Sequence, residues 1–156
     1  LLVAEALAAE AVDLLEISGG NYESTAMFGR KSTRDREAYF LEFVEKVRAR
    51  TRLPLMLTGG FRTAAAMNAA IASGAVDVVG LARPLILEPE LPRGLLDGTR
   101  DGAAHDQIRA RGRLLDDLLQ GTWYARQLRR LAAGKEPDPK LGRYTSILVE
   151  GPRAYL

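Results

Sequence analysis

The sequence predicts an α/β protein in which parallel strands alternate with helices. Three short runs, residues 12–17, 53–57 and 76–79, carry apolar side chains at consecutive positions, which is typical of strands in a parallel sheet. Segments of strong helix formers or helical periodicity precede and separate these runs. We therefore expect a parallel sheet, covered on both faces, with right-handed crossover connections.

Composition limits the classes of function. A chain of 156 residues can bury a core, and a net charge of +2 is too small to indicate a nucleic-acid partner. No apolar run approaches the roughly 18 residues of a membrane span, so no membrane partner is expected. Cysteine is missing, which excludes disulfides and thiolate chemistry and fits a cytoplasmic location. A helix begins at Leu1 without a cap, so we expect the chain to be truncated.

Three helices are predicted around these strands. Strong helix formers span residues 1–9, and small residues span 63–73 and end before Gly74. Residues 33–50 form the third helix. Its buried face is predicted to carry Phe40, Val44 and Val47.

The character of the chain changes after Pro84. Helices are predicted over residues 105–120, where Gly112 weakens the pattern, and over about 122–133, and residues 135–140 are expected to be extended. The run 147–149 is interpreted as a docking strand. We divide the chain into a β/α part, residues 1–96, and a helical extension and tail, residues 97–156.

A candidate anion site follows from the ends of the second and third strands. Gly59 and Gly60 come directly after one strand and before a helix, so backbone N–H groups and the helix N-terminus favour a phosphate there. Arg83, just past the next strand, offers a bidentate guanidinium. In the alternative interpretation, the glycines only permit positive φ and Arg83 pairs with a surface carboxylate.

Several motifs together resemble a known family. They are VDLLEISGGNYE (12–23), LTGGFRT (57–63), VGLARPLI (79–86) and EPELP (88–92). In this order they look like the C-terminal half of the old yellow enzyme family, which are NADH:flavin oxidoreductases built as FMN-binding (β/α)8 barrels. Segments 123–128 and 134–139 resemble the tail of one bacterial branch. The resemblance implies a partial TIM barrel, comprising strands six to eight, with a C-terminal helical extension.

The resemblance also implies where FMN would be held. The family grips the FMN phosphate with the backbone after strand seven and the Gly-x-x-Arg after strand eight. The corresponding residues here are Gly59, Gly60, Phe61, Gly80, Leu81, Ala82 and Arg83. Phe61 is interpreted either as a neighbour of the flavin or as a core aromatic.

Other site residues are implied less directly. Ser18, Asn21 and Tyr22 fall at the same barrel end, so Tyr22 is a candidate for substrate binding, with an exposed loop aromatic as the alternative. No catalytic residue is assigned, because the family's proton-donating Tyr and substrate-binding His pair lie on strands one to five. His105 is interpreted as a surface residue, and no metal site is expected.

By this resemblance, the chain is a fragment of an enzyme that passes hydride from NADH or NADPH through FMN to an enone-like alkene. Its partner would be the upstream barrel segment, and the isolated chain would be inactive. Without cysteines after strand eight, the branch that lacks an iron–sulfur cluster is favoured. Two alternatives stay open. One is a flavin-free phosphate-binding barrel of an isomerase or lyase; the other is a non-catalytic α/β interaction domain that pairs with a copy of itself.

Overall fold

A computed structural model describes residues 2–18, 41–104, 108 and 110–151. The chain forms two compact units. The first comprises Leu1–Ala82 with Arg100–Gly102, and the second comprises Arg83–Thr99 with Ala103–Leu156. Within the described ranges, no helix combines the length and the apolarity that crossing a membrane requires.

The first unit is a small parallel sheet with helices. Its elements are α1 (Leu2–Ala9), β1 (Leu15–Ser18), α2 (Leu41–Arg48), β2 (Leu55–Thr58), α3 (Ala64–Ala72) and β3 (Val78–Gly80). The strands lie in the order β1-β2-β3, and both pairs are parallel. The predicted α/β class with parallel strands is thus confirmed for the described residues.

Each strand begins two or three residues later than predicted, because the residues before it are used differently. Leu15 donates its N–H to the carbonyl of Pro54, at 2.9 Å, so pairing starts only there. Asp77, which we assigned to the third strand, instead turns its carboxylate to the N–H of Leu55, at 2.8 Å. Apolar character alone does not distinguish such lead-in residues from the ladder itself.

Among the described residues, helices cover only one face of the sheet, whereas we expected both faces to be covered. Leu55 and Leu57 of β2 are fully buried, and α2 packs on β2 while α3 packs on β3. The opposite face carries one in-register row of Glu16, Met56 and Val78, of which Val78 is 41% exposed. Strands in sequential order, joined by crossovers of one hand, place their connecting helices on one side only.

The helices of the first unit agree with the predicted pattern where they are described. Val44 and Val47 are buried in α2, as predicted, whereas Phe40 lies outside the described residues. In α3, the hydroxyl of the N-cap residue Thr63 accepts from the N–H of Ala66, at 3.2 Å. The helix ends just before Gly74, whose φ of 72° is the left-handed conformation expected of a stop signal.

The second unit is helical. Its elements are α4 (Arg83–Leu87), α5 (Leu91–Leu96), α6 (Arg113–Ala132) and α7 (Arg143–Glu150). Its core is a cluster of buried side chains, with partly buried neighbours from the rest of the unit. The buried members are Leu87, Ile108, Leu119, Trp123 and Tyr124.

The two helices predicted over residues 105–120 and 122–133 are one helix, α6. It begins after Gly112, whose φ of 87° marks the entry into the helix, and it continues through Gly121. A glycine inside a helix costs about 1 kcal/mol relative to alanine. Burial of Leu119 and Trp123 on either side of Gly121 exceeds that cost, since each large apolar side chain contributes about 1.5–3 kcal/mol.

The docking strand that we assigned to residues 147–149 is wrong, because this run lies within α7. Polar side chains of this helix bond to arginines of α6, so the contact is not a strand pairing. Ser146 is fully buried, and Glu150, 4% exposed, accepts from Arg129 Nε at 2.7 Å. Tertiary packing has therefore overridden the β-propensity of Ile147 and Val149.

Candidate functional site

The ends of β2 and β3 meet at one edge of the sheet. Thr58, the last residue of β2, is paired in register with Gly80, the last residue of β3. Because the strands are parallel, the segments that leave them, 59–61 and 81–82, start side by side at the carboxyl edge. Ligands of open and closed parallel β/α folds bind at this edge.

The turn after β2 has a backbone that only glycine adopts easily. Gly59 has φ of 132° and Gly60 has φ of 83°. A Cβ built on Gly59 would meet nothing within 4 Å, so conformation rather than crowding requires glycine there. Among the described residues, no carbonyl or side chain accepts from the amides of Gly60 or Phe61. The Phe61 side chain is 2% exposed, as a core aromatic would be.

A segment that we did not predict to reach the first unit bonds to the N-terminus of α3. Residues 101–102 return to the first unit, where the N–H of Ala64 donates to the carbonyl of Asp101, at 2.8 Å. Thr63 forms an antiparallel bridge with Gly102, and a Cβ on Gly102 would lie 2.5 Å from the Arg62 carbonyl. The Asp101-Gly102 pair in a turn-rich run was the only available signal for this close approach.

Two polar side chains that sequence reasoning missed lie on the open face of the sheet. The Thr58 hydroxyl donates to Glu16 Oε1, at 2.7 Å, across the β1–β2 pair. A Cβ on Gly80 would fall 1.8 Å from Thr58 Oγ1 and 2.7 Å from Met56 Cε, so Gly80 is required by its neighbours. A charged residue inside an apolar strand run was the signal that pointed to Glu16.

An ion pair fastens the opposite, amino edge of the sheet. Arg48, at the end of α2, donates to the Asp77 carboxylate and to the Leu53 carbonyl, the latter at 3.0 Å. The hydrogen bond from the Leu55 N–H, with that from Arg48, lowers the pKa of Asp77 below its ordinary value. This cluster joins the beginnings of β2 and β3, and at that edge of a β/α sheet a structural role is expected.

Arg83 is the first residue of α4 and belongs to the second unit. One of its terminal nitrogens donates to Gln120 Oε1, at 3.0 Å, and Gln120 donates in turn to the Ile108 carbonyl, at 2.9 Å. Gln120 is buried, at 6% exposed, so it fixes one side of the guanidinium within that unit. The guanidinium is a planar fork with five donors, so an arginine positioned in this way suits an anion.

The remaining predicted residues are placed as follows. Leu81 is half-buried and Ala82 is exposed, both directly after β3, and Ser18 is exposed at the end of β1. Tyr22, Asn21 and His105 lie outside the described residues. Across the described ranges, no group of three acidic or imidazole side chains is arranged to hold a metal ion.

Comparison with known proteins identifies relatives of one kind. No family model matches the chain. An NADH-dependent flavin oxidoreductase from Hypocrea jecorina is 31% identical over 132 residues, which is 80% of this chain. One from Talaromyces variabilis is 43% identical over 90 residues, or 53% of this chain, and one from Neonectria sp. is 39% identical over 93 residues, also 53%.

The chain spans only part of these relatives, 31% of the Hypocrea protein, 22% of the Talaromyces protein and 12% of the Neonectria protein. The predicted resemblance to NADH:flavin oxidoreductases is confirmed by these matches. Over about half to 80% of its length, this chain is homologous to part of the NADH-dependent flavin oxidoreductases, as a fragment of that family would be.

Proposed function

We propose that this chain is the C-terminal part of an FMN-dependent oxidoreductase of the old yellow enzyme type, and that it holds the FMN phosphate. The observation that carries the proposal is the pairing of Thr58 with Gly80, which sets the Gly-Gly turn beside the segment leading to Arg83. The homology to NADH-dependent flavin oxidoreductases supports flavin as the group that is bound there.

The residues present fit a phosphate. Glycine at positions 59 and 60 lets the backbone come close to an anion, and the amides of Gly60 and Phe61 are available as donors. The amides of Leu81 and Ala82 would add donors from the neighbouring strand, and Arg83 would supply the positive charge. The N-terminus of α3, close behind the turn, contributes favourable electrostatic potential.

The arrangement of helices supports a segment of a (β/α)8 barrel. In such a barrel, the helices lie outside and the inner sheet face is covered by the other strands. Here β1 and β3 are the edge strands of the described sheet, and the row of Glu16, Met56 and Val78 lies on the face that no described helix covers. Five further strands would pair with both edges and cover that row.

The bound FMN would supply the redox chemistry, taking hydride from NADH or NADPH and giving it to an activated alkene such as an enone. The contribution of this chain is binding and orientation. The phosphate contacts at the carboxyl edge would fix the position of the cofactor along the barrel axis. The half-buried Thr58 and the exposed Ser18 end two neighbouring strands at that edge, so they would border the cofactor rather than react with it.

The proposal is tested by comparing the affinities of FMN and riboflavin, which differ by the phosphate alone. In the intact protein that contains this chain, we expect FMN to bind more tightly. Arg83→Ala is expected to remove about 10- to 100-fold of that preference, since a hydrogen bond to a charged group contributes about 1.5–3 kcal/mol. Gly60→Ala is expected to weaken FMN binding as well. Quenching of flavin fluorescence measures both affinities.

Two matched controls separate binding from folding. Gly74→Ala introduces a side chain at a similar φ, 72° against 83° at Gly60, but away from the carboxyl edge. Arg93→Ala removes an arginine whose side chain is 81% exposed. Both are expected to leave the preference for FMN unchanged. If Arg83→Ala weakens FMN and riboflavin binding equally, the phosphate contact does not exist.

A flavin-free phosphate-binding barrel is the rival function. It accounts for the glycine turn and Arg83 equally well, but the relatives are flavin enzymes by name. An intact protein that is purified without visible flavin absorbance, and that does not bind added FMN, would favour the rival.

A further inference from the structure

The open face of the sheet presents one carboxylate that is only partly hydrogen-bonded. Glu16 lies on this face of β1, and its Oε1 accepts from the Thr58 hydroxyl, at 2.7 Å. Its second oxygen, Oε2, accepts from no donor among the described residues. An ionised carboxylate offers about four lone-pair sites, so Glu16 can accept further hydrogen bonds from another group.

The direction of the Glu16 side chain is set by its neighbours. Glu16 is paired in register with Met56, whereas Thr58 is paired with Ser18, two residues nearer the carboxyl edge. The bond to Thr58 therefore directs the carboxylate toward that edge. A Cβ on Gly80 would lie 1.8 Å from Thr58 Oγ1, so the absence of a side chain at Gly80 leaves room for the hydroxyl.

The neighbours of Glu16 toward the middle of the sheet cannot neutralise its charge. Met56 and Val78, which follow it in register on β2 and β3, are both apolar. Within the described ranges, no lysine or arginine bonds to Glu16. In the proposed barrel this face is the interior, and a buried carboxylate requires a cation and further hydrogen bonds. The cation must therefore come from outside the described sheet.

The outer edge of β1 indicates where such a cation would come from. β1 pairs with β2 on one side and, in the described part of the chain, with no strand on the other. α1 precedes β1 as α2 precedes β2, and Arg50, two residues past α2, donates to Glu5 of α1, at 3.1 Å. α1 thus lies beside the end of α2, as expected of crossover helices on one side of a sheet. A strand before α1 would then pair with the outer edge of β1.

We propose that, in the intact protein, Glu16 is the counter-ion of a lysine or arginine on the strand that precedes α1. This inference rests on the proposed function, because it takes the open face to be the interior of a barrel. Neighbouring strands lie about 4.7–4.9 Å apart, a separation that a lysine or arginine side chain easily spans. Glu16 then accepts from Thr58 on one side and from the cation on the other. This match of charge helps to select the strand that pairs with β1.

The test is a double-mutant cycle, measured by urea unfolding of the intact protein after removal of flavin. Glu16→Gln keeps an acceptor for Thr58 but removes the charge, so it leaves the cation unpaired. It is expected to raise the unfolding equilibrium constant about 100-fold. Each lysine or arginine of the strand before α1 is then replaced by methionine in turn. In one of these backgrounds, Glu16→Gln is expected to cost at least tenfold less.

Glu45→Gln is the matched control, because it makes the same substitution at an exposed position of α2. It is expected to leave stability unchanged. A preceding strand without lysine or arginine overturns the inference. So does a Glu16→Gln variant as stable as the wild type, because glutamine then replaces the carboxyl at no cost. Costs that simply add in every background overturn it as well.

These outcomes are independent of phosphate binding, since the cycle is measured without flavin. An intact protein that shows the coupling but binds FMN and riboflavin equally would refute the proposed phosphate site and leave the ion pair standing. A protein that prefers FMN but lacks the coupling would refute the ion pair alone.

Discussion

At the scale of single residues, the two edges of the sheet depend on different kinds of interaction. The amino edge depends on one charged cluster, in which Asp77 accepts from Arg48 and from the backbone of Leu55. The carboxyl edge depends on small size, since Gly80 touches Thr58 without room for a side chain. The contribution of Asp77 should vary with pH, whereas that of Gly80 should not.

We expect Asp77→Asn to lower the stability of the chain at neutral pH but not at acid pH. The folded-state pKa of Asp77 lies below its ordinary value, chiefly because Leu55 and Arg48 donate to the carboxylate. Such a group stabilises the fold above its unfolded pKa of 3.8, and this contribution is lost as pH falls through the folded value. Urea unfolding of both chains between pH 7 and pH 2 measures the difference. Curves that stay parallel throughout would contradict the assignment.

Gly80→Ala is expected to destabilise the chain by about 1–3 kcal/mol, the usual cost of overpacking. The new methyl group would overlap Thr58 Oγ1 and approach Met56 Cε. Thr58→Ala should recover part of the loss, because it removes the nearest of these atoms. Chemical denaturation of the two single variants and the double variant gives the coupling. Losses that simply add would show that Thr58 is not the obstacle.

At the scale of elements, local sequence signals such as caps and glycine stops predicted helix ends correctly where tertiary packing agrees with them. Thr63 and Gly74 bound α3 as their sequence predicts, because a cap and a left-handed glycine act locally. The predicted division into two helices at residue 121 was wrong, since the buried residues on either side of Gly121 keep the helix continuous. The strand that we predicted at residues 147–149 was wrong because the helix formed there packs on α6, which is distant in sequence.

Gln127 fastens the extended segment after α6, and we expect Gln127→Met to cost about 1–3 kcal/mol. Its fully buried side chain donates to the Asp138 carbonyl, at 2.6 Å, and accepts from the Asp138 N–H, at 2.9 Å. Methionine fills similar volume but leaves both backbone groups without their partner. Thermal unfolding measures the loss. Lys140→Met, at an exposed position, is the control and should change stability little. An unchanged melting temperature for Gln127→Met would show that water replaces the side chain at no cost.

At the scale of the whole molecule, the sequence predicted the parallel β/α order and the relatives, but not how much of the sheet is covered. The apolar runs suggested two covered faces, whereas the face with Glu16 and Val78 has no helix in the described residues. The apolar residues of a strand reflect the packing of the strand in the whole protein. This chain spans a third or less of its relatives, so it need not contain the elements that would cover both faces. The strand ends of the proposed phosphate site, by contrast, were predicted correctly, because Gly59 and Gly80 directly follow or end apolar runs in the sequence.

We expect the 156-residue chain by itself to show no reduction of an enone by NADH, even with FMN added. In the proposed enzyme, the three described strands would be only part of a barrel, and the residues that protonate and bind the substrate would lie on the other strands. Loss of NADH absorbance with an enone and FMN measures the reaction. The intact protein that contains this chain is the positive control. Turnover by the isolated chain above the background rate of free FMN would contradict the proposed division of roles.

The cluster of Arg48 and Asp77 bears on how well the protein can tolerate substitutions during evolution. This cluster joins β2 to β3 at the amino edge of the sheet. The loops at the carboxyl edge therefore need not hold the two strands together. We therefore expect insertions and substitutions in those loops to reduce the stability of the fold only slightly. Libraries aimed at the proposed cofactor site should accordingly be built in the loops after β2 and β3, with Arg48 and Asp77 left unchanged.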